Sequence, residues 1–295
     1  MLLAPLAALL DDLAQLDGVE ARWRAVDAPI AEAFESDQWR ESNVLEPSIT
    51  GDARGVRGYR FSYGFPRYRA DPARSQRFAV GVARVVGGEA QDAARRVARA
   101  AAAPCVEQPI VGFSHDTDGA PVLKLYLLFG DGHDSAARRL AASVLGSERA
   151  VAAVEGGLHL LGLDVGAGGL RRAKLYGLHR ALPWAEVASR LGLDASALPV
   201  ETVHDALLIH EVRSPEDLTS TPRAVDLPLR AQRATFAELA PHLARIHPGA
   251  VERYQELAVR HPLRMRRVSI GAHASPKLNL YYELDAARAR RPAGA

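Results

Sequence analysis

A single cysteine, Cys105, occurs in 295 residues, which excludes an internal disulfide and any cysteine-rich metal site. Standing at the start of an apolar run, it reads as a small apolar filler. No run of apolar residues approaches the ~18 that a membrane-spanning helix needs. The apolar stretch 2–16 has no early positive cluster and carries Asp11 and Asp12, so it reads as an amphipathic helix and not as a secretory signal. Charge of one sign is also missing: the formal net charge is +2, too little for a field that gathers nucleic acid or an acidic membrane. There is no Ser-His-Asp arrangement, no HExxH and no P-loop, and Gly166-Ala167-Gly168-Gly169 is not followed by a helix, so it reads as a flexible turn. These absences lead to the expectation of a cytoplasmic monomer with neither a nucleic-acid nor a membrane partner.

What is present is a globular composition, 48% hydrophobic and 24% charged, long enough to bury a large core. Within it, a lysine and a tyrosine two residues apart recur on apolar runs. Leu123-Lys124-Leu125-Tyr126-Leu127-Leu128 is followed by Lys174-Leu175-Tyr176, and Lys277-Leu278-Asn279-Leu280-Tyr281-Tyr282-Glu283 is a stretched version. Strand residues alternate faces with period two. Lys124 and Tyr126 therefore share one face opposite Leu123, Leu125 and Leu127, and Lys174 and Tyr176 share one opposite Leu175. Lys277, Asn279, Tyr281 and Glu283 likewise oppose Leu278, Leu280, Tyr282 and Leu284. The leucine faces call for a cover of helices, and the ammonium and phenol groups for a shared interior.

Along the chain, strand pairs alternate with helices. Helices are expected over 2–16, 19–35, 89–103, 135–145, 147–154, 184–191, 234–246 and 250–260. Strand pairs are expected at 43–50 with 57–65, 109–115 with 122–129, 158–165 with 171–179, 205–213 with 223–229, and 264–272 with 277–285. The intervening turns are 51–55, 116–120, 166–169, 214–221 and 273–276, and 66–72 reads as a loop. Residues 77–86 fit either a strand or a helix start. A strand-pair and helix unit repeating at a period of roughly 50 residues is an architectural repeat. Ten antiparallel strands can close into an α+β barrel ringed by helices, one domain over 1–285, with a frayed basic tail at 286–295. Such a barrel is wider than the eight-stranded kind that side chains fill, so room for a ligand is expected. The competing architecture is an open α+β sheet with one wet face.

This pattern resembles the ABBA, or PT-barrel, aromatic prenyltransferases, and above all the cyanobactin peptide prenyltransferases. Ser48-Ile49-Thr50-Gly51-Asp52 looks like the first hairpin turn of that family. Gly112-Phe113-Ser114 through Tyr126, Gly162-Leu163-Asp164 with Lys174-Leu175-Tyr176, and Leu278 through Tyr282 look like later hairpins. The resemblance implies transfer of a dimethylallyl or geranyl group from its diphosphate to a nucleophilic side chain of a ribosomal peptide, in natural-product biosynthesis. It also admits a small phenol or indole acceptor, or a barrel that binds a peptide or prenyl ligand without chemistry. It implies Arg60, Lys124, Lys174 and Lys277 as ligands of the diphosphate, and Tyr126, Tyr176 and Tyr281 as shields of the allylic cation. Mg2+ is admitted as a companion of the diphosphate, with no metal ligand from the protein. The cyanobactin enzymes carry a glutamate on the strand after the first turn, where this chain has Val56 or Arg57. Glu46 on the partner strand takes that place if its face points inward; otherwise the base has moved, is not needed, or the activity is lost.

Other groupings carry two readings each. His115-Asp116-Thr117-Asp118 is an oxygen-rich cation site or a solvated turn. His210 is an interior base or a buried structural histidine, and His273 sits on a turn. Arg264-Met265-Arg266-Arg267 is a rim for an anion or a solvated cluster. The Asp-rich DDxxD motif of helical prenyl synthases is absent, since Asp11-Asp12-Leu13 lacks the third acid.

Overall fold

The computed structural model describes residues 4–18, 25–26, 45–58, 60–65, 72–115, 119–212, 222–232, 234–271 and 276–284. Its strands are β1 Leu45–Asp52, β2 Gly55–Arg57, β3 Arg60–Gly64, β4 Val106–His115, β5 Pro121–Phe129, β6 Gly157–Gly166, β7 Gly169–Pro183, β8 Thr202–Val212, β9 Ala224–Pro228, β10 Leu263–Gly271 and β11 Lys277–Leu284. Except for β2 and β3, neighbours in this order pair antiparallel, and β11 returns to β1 through Ser48 opposite Tyr281 and Thr50 opposite Asn279. That last pairing closes the sheet. A side-chain hydrogen bond from Thr50 Oγ1 to Asn279 Oδ1, 2.8 Å, crosses the seam. β2 and β3 both pair with β1 and act as one interrupted stave, so eleven strands make the ten staves expected.

Helices cover the outside: α1 Ala4–Asp17, α2 Pro72–Val86, α3 Ala90–Ala101, α4 Asp134–Leu145, α5 Glu148–Ala152, α6 Trp184–Leu191, α7 Leu229–Gln232, α8 Phe236–Ile246 and α9 Pro248–Arg260. Their sequences explain their ends. α3 has Asp92 in its first turn and Arg99 in its last, opposing the helix dipole at both ends. α8 opens with a capping box between Thr235 and Glu238, and α6 stops at Gly192, whose φ of 63° needs no Cβ penalty. Residues 77–86 are helical throughout. Their β-branched valines mimic a strand, but the buried set Ser75, Phe78, Ala79, Val82, Ala83 and Val86 follows the helical period, which wins through packing on the barrel.

The strand phase is the one read from the leucines. Leu123, Leu125, Leu127, Leu161, Leu163 and Leu175 join the main core between sheet and helices, while Tyr126, Leu160, Tyr176, Leu207 and Ile209 form a separate cluster inside the barrel. β1 runs on through Gly51 and Asp52, so the first turn is shorter than expected; Asp52 accepts from the Arg54 N–H at 3.0 Å and from Arg57 at 2.6 Å. Most of the expected helix 19–35, most of the loop 66–72, the turns at 116–118 and 214–221, His273 and the tail 286–295 lie outside the described residues. No helix among the described residues is long and apolar enough to cross a membrane.

Candidate active site

Lateral register turns the alternation of each strand into rings around the lumen. Lys124 lies between Gly112 of β4 and Asp164 of β6, and Tyr126 between Ile110 and Gly162. Asp164 then faces Arg172 of β7, and Leu160 faces Tyr176. Between β10 and β11, Arg267 stands beside Tyr281, and Gly271 beside Lys277. The result is a polar end with Arg60, Lys124, Asp164, Arg172, Lys174 and Lys277, a middle with Tyr126, Tyr176 and Tyr281, and beyond them a wall that joins apolar Ile110 and Leu160 to the charged Glu46 and Arg267. Gly162 permits this: a Cβ there would stand 2.7 Å from the Tyr126 ring, so only glycine lets the phenol lie across β6.

Two cavities occupy the lumen and share Arg60 and Lys124 in their walls. The upper, about 220 Å3, is lined by Thr50, Lys124, Asp164, Arg172 and Lys277, among others. The lower, about 480 Å3, is lined by Glu46, Tyr126, Leu160, Tyr176, Arg267 and Tyr281, among others. At the upper end Lys124 Nζ donates to Asp164 Oδ1 at 2.9 Å, Arg172 Nε to Asp164 Oδ2 at 2.6 Å, and Lys174 Nζ lies 3.2 Å from Oδ2. Arg172 also donates to Glu211 Oε1 at 3.1 Å. Arg60 donates to Asn279 Oδ1 at 3.4 Å and to the Tyr281 hydroxyl at 3.1 Å.

Cations outnumber acids here, and the proton affinities follow. Burial pushes Lys174 down to about 8, with Arg172 adding to the effect. Burial also takes Lys277 to about 7, and the charges acting most on it, Arg60, Arg172, Lys174 and Arg57, are all positive. Burial lowers Lys124 well below the usual lysine range, with Asp164 opposing. For Asp164, burial raises the pKa, but Lys124, Lys174 and Arg172 outweigh it and hold the carboxyl well below the usual range. Burial raises Tyr126, Tyr176 and Tyr281, so all three present neutral phenols at pH 7.

At the lower end Arg267 donates to Glu46 Oε2 at 2.5 Å and to Asp226 Oδ2 at 3.4 Å, while its guanidinium carbon sits 4.2 Å from the Tyr281 ring centroid. Arg264 and Arg266 both pair with Glu283, the latter at 3.0 Å. The run 264–267 is therefore no single rim: a β-bulge between Met265 and Arg267 turns Arg267 into the lumen.

All eight residues implied by the resemblance, Glu46 included, face one lumen. Reasoning from the sequence gave no site role to Arg172, Asp164 or Asp226, and named Arg267 only within the cluster 264–267, as a rim for an anion or a solvated group. Arg172 was available, because Arg-x-Lys-x-Tyr places it in phase with Lys174 and Tyr176. The others needed the register or the bulge. His210 is opposite Leu175 and so faces the helices, which removes it as an interior base. His115 lies 2.8 Å from Asp17 of α1, tying that helix to the barrel mouth, while the acids 116–118 lie outside the described residues. A resident Mg2+ does not suit the upper lumen. Asp164 is committed to three cations, and no group of three or more acid, histidine or cysteine side chains fit for a metal occurs among the described residues.

No protein-family model matches the chain, and no curated protein matches it in sequence. Solved structures do. The chain superposes on 5-dimethylallyltryptophan synthase from Streptomyces coelicolor with a TM-score of 0.70 at 15% identity, over 95% of this chain and 97% of that one. The prenyltransferase PriB, in ternary complex with L-tryptophan and dimethylallyl thiolodiphosphate, gives a TM-score of 0.67 at 16% identity, covering 94% of each chain. The 6-dimethylallyltryptophan synthase from Micromonospora olivasterospora gives 0.67 at 18%, over 93% of this chain and 94% of that one. The fold is that of the PT barrel.

Proposed function

We propose that this protein is an aromatic prenyltransferase that moves a dimethylallyl-sized group from its diphosphate to the ring of a small electron-rich acceptor such as an indole. The observation that carries this is the vertical order of one lumen: surplus buried cations at one end, three neutral phenol rings beside them, and a larger cavity beyond. The diphosphate sits against Lys124, Lys174, Arg172, Arg60 and Lys277. As the C–O bond of the donor breaks, its electron pair leaves on the diphosphate, whose growing charge these groups stabilise. The faces of Tyr126, Tyr176 and Tyr281 attract the allylic cation and keep water from it. A ring π pair of the acceptor in the lower cavity then forms the C–C bond. Glu46, on that cavity's wall, takes the hydrogen bond of the acceptor's N–H or O–H and receives the proton the reaction releases.

The peptide acceptor implied by the sequence resemblance has less support than a small aromatic one. The three structures compared are of tryptophan or dimethylallyl enzymes, and none is a peptide prenyltransferase. Incubating the protein with dimethylallyl diphosphate and separate panels of indoles, phenols and aromatic peptides tests the reading. A C-prenylated small indole or phenol is expected. Transfer to peptides alone would restore the peptide reading, and no transfer together with no donor binding would overturn the proposal.

A further inference from the structure

Among the cations of the upper lumen one buried acid is out of place. A site that must receive a diphosphate gains nothing in affinity from a fixed negative charge within it, yet Asp164 is 4% exposed and lines the upper cavity. Its two oxygens are shared among three cations: Lys124 on one, Arg172 and Lys174 on the other. The pairing follows from the sheet itself, since Lys124, Asp164 and Arg172 are direct lateral neighbours on β5, β6 and β7. Asp164 is thus where three staves converge, and its carboxylate fixes the direction of all three side chains.

Without it, Lys124 and Lys174, both buried, would face each other and Arg172 with no anion between them. Lysine sheds its proton under such conditions, and arginine does not. We propose that Asp164 is a positioning residue of the donor site: a resident anion that favours the charged forms of Lys124 and Lys174 and aims both at one point. The inference rests on the reading that a diphosphate binds the upper lumen.

The other charges facing Asp164 belong to the same balance. Arg60 on β3 acts on it across the lumen, and Lys277 on β11 lines the same cavity. Glu211 on β8 draws on Arg172 from the far side, and Tyr126 on β5 is held neutral below it. His115 on β4 lines the cavity but is engaged by Asp17 of α1. Among the described residues Asp164 is bonded to both lysines and so links them. The already lowered affinity of Lys174 and Lys277 for protons indicates how little reserve the cluster has.

The test is calorimetric titration of the full chain with inorganic pyrophosphate and with dimethylallyl thiolodiphosphate, from pH 6 to pH 9, in buffers of different ionisation enthalpy. Asp164→Asn should take up about one more proton on binding than the wild type near pH 8. Its affinity should equal or exceed wild type at pH 6, where proton uptake by the lysines costs little and a repelling carboxylate has gone. It should fall about tenfold below wild type by pH 8.5, so the two profiles cross. A carboxylate that only repels the ligand predicts tighter binding at every pH. One that only supports the fold predicts a parallel loss at every pH, and either result would overturn the proposal. Asp164→Glu keeps the charge and should keep the wild-type proton count; a changed count overturns the proposal even if the asparagine variant does not fold. If the wild type binds neither probe, the donor-site reading itself fails. If it binds both and Asp164→Asn leaves its proton count unchanged, only the role of Asp164 fails.

Discussion

The two ends of the lumen are built from the same residue types and differ in their balance. At the upper end Arg60, Lys124, Arg172, Lys174 and Lys277 face Asp164 and Glu211. At the lower end Arg264, Arg266 and Arg267 are matched by Glu46, Asp226 and Glu283. Surplus charge buried away from water is costly until an anion arrives, so it marks a binding site. Matched charge costs less and fixes side chains instead. It leaves the lower cavity to shape, apolar contact and single hydrogen bonds, which suits an aromatic ring. The tyrosines lie between, where an allylic cation would have an anion on one side and an acceptor on the other.

Removing a cation from the surplus end should have the largest effect. Lys124→Ala is expected to weaken binding of dimethylallyl thiolodiphosphate by ~10- to 100-fold, about 1.5–3 kcal/mol, with a smaller effect on acceptor binding. The neighbouring outward residue gives the opposite pattern. Leu125→Ala should lower unfolding free energy in urea by about 2–5 kcal/mol with donor affinity intact. If Lys124→Ala instead costs stability and spares donor binding, the inward and outward faces have been read in the wrong phase.

The pH dependence sharpens the same contrast. Burial brings Lys277 and Lys174 down to about 7 and about 8, and a diphosphate bound beside them would raise both. A group whose pKa rises on binding contributes affinity below its free value, and the contribution is lost as pH climbs from there through the bound value. Donor affinity should therefore fall above pH 7, by up to about tenfold per pH unit for each proton linked to binding. Acceptor affinity, measured alone over pH 7–9, should stay level, because the cations of the lower end are arginines.

Smaller effects are expected at the balanced end and in the middle. Glu46→Gln removes one charge from the Arg267 pair and should raise the KM for the acceptor about tenfold, with the KM for the donor unchanged. Tyr126→Ala and Tyr176→Ala should shift products from transfer towards prenyl alcohol by a few-fold, as water reaches the cation. The phenylalanine variants keep the π-face and should be milder. Equal losses for Phe and Ala would assign the hydroxyl a role that the ring now holds.

How much of this was readable beforehand depended on whether a feature lives within one strand or between strands. The Lys-x-Tyr phase and its leucine backing are local, so the barrel, the helix cover and the shared interior followed from them. Arg172 obeyed the same period and was there to be read. Arg267 was not, because the bulge beside Met265 reverses the phase that its neighbours suggest. Asp164 was visible as a residue but not as a partner, since its three contacts exist only once β5, β6 and β7 take their register. The helix at 72–86 was ambiguous for a related reason: its valines suit a strand, and only the barrel surface selects the helical face.

A crystal structure with dimethylallyl thiolodiphosphate tests the contrast between the two ends most directly. The account predicts the diphosphate within hydrogen-bond distance of Lys124, Lys174 and Arg172, with the dimethylallyl group among Tyr126, Tyr176 and Tyr281. A diphosphate seated at the opposite mouth, against Arg264 and Arg266, would contradict it.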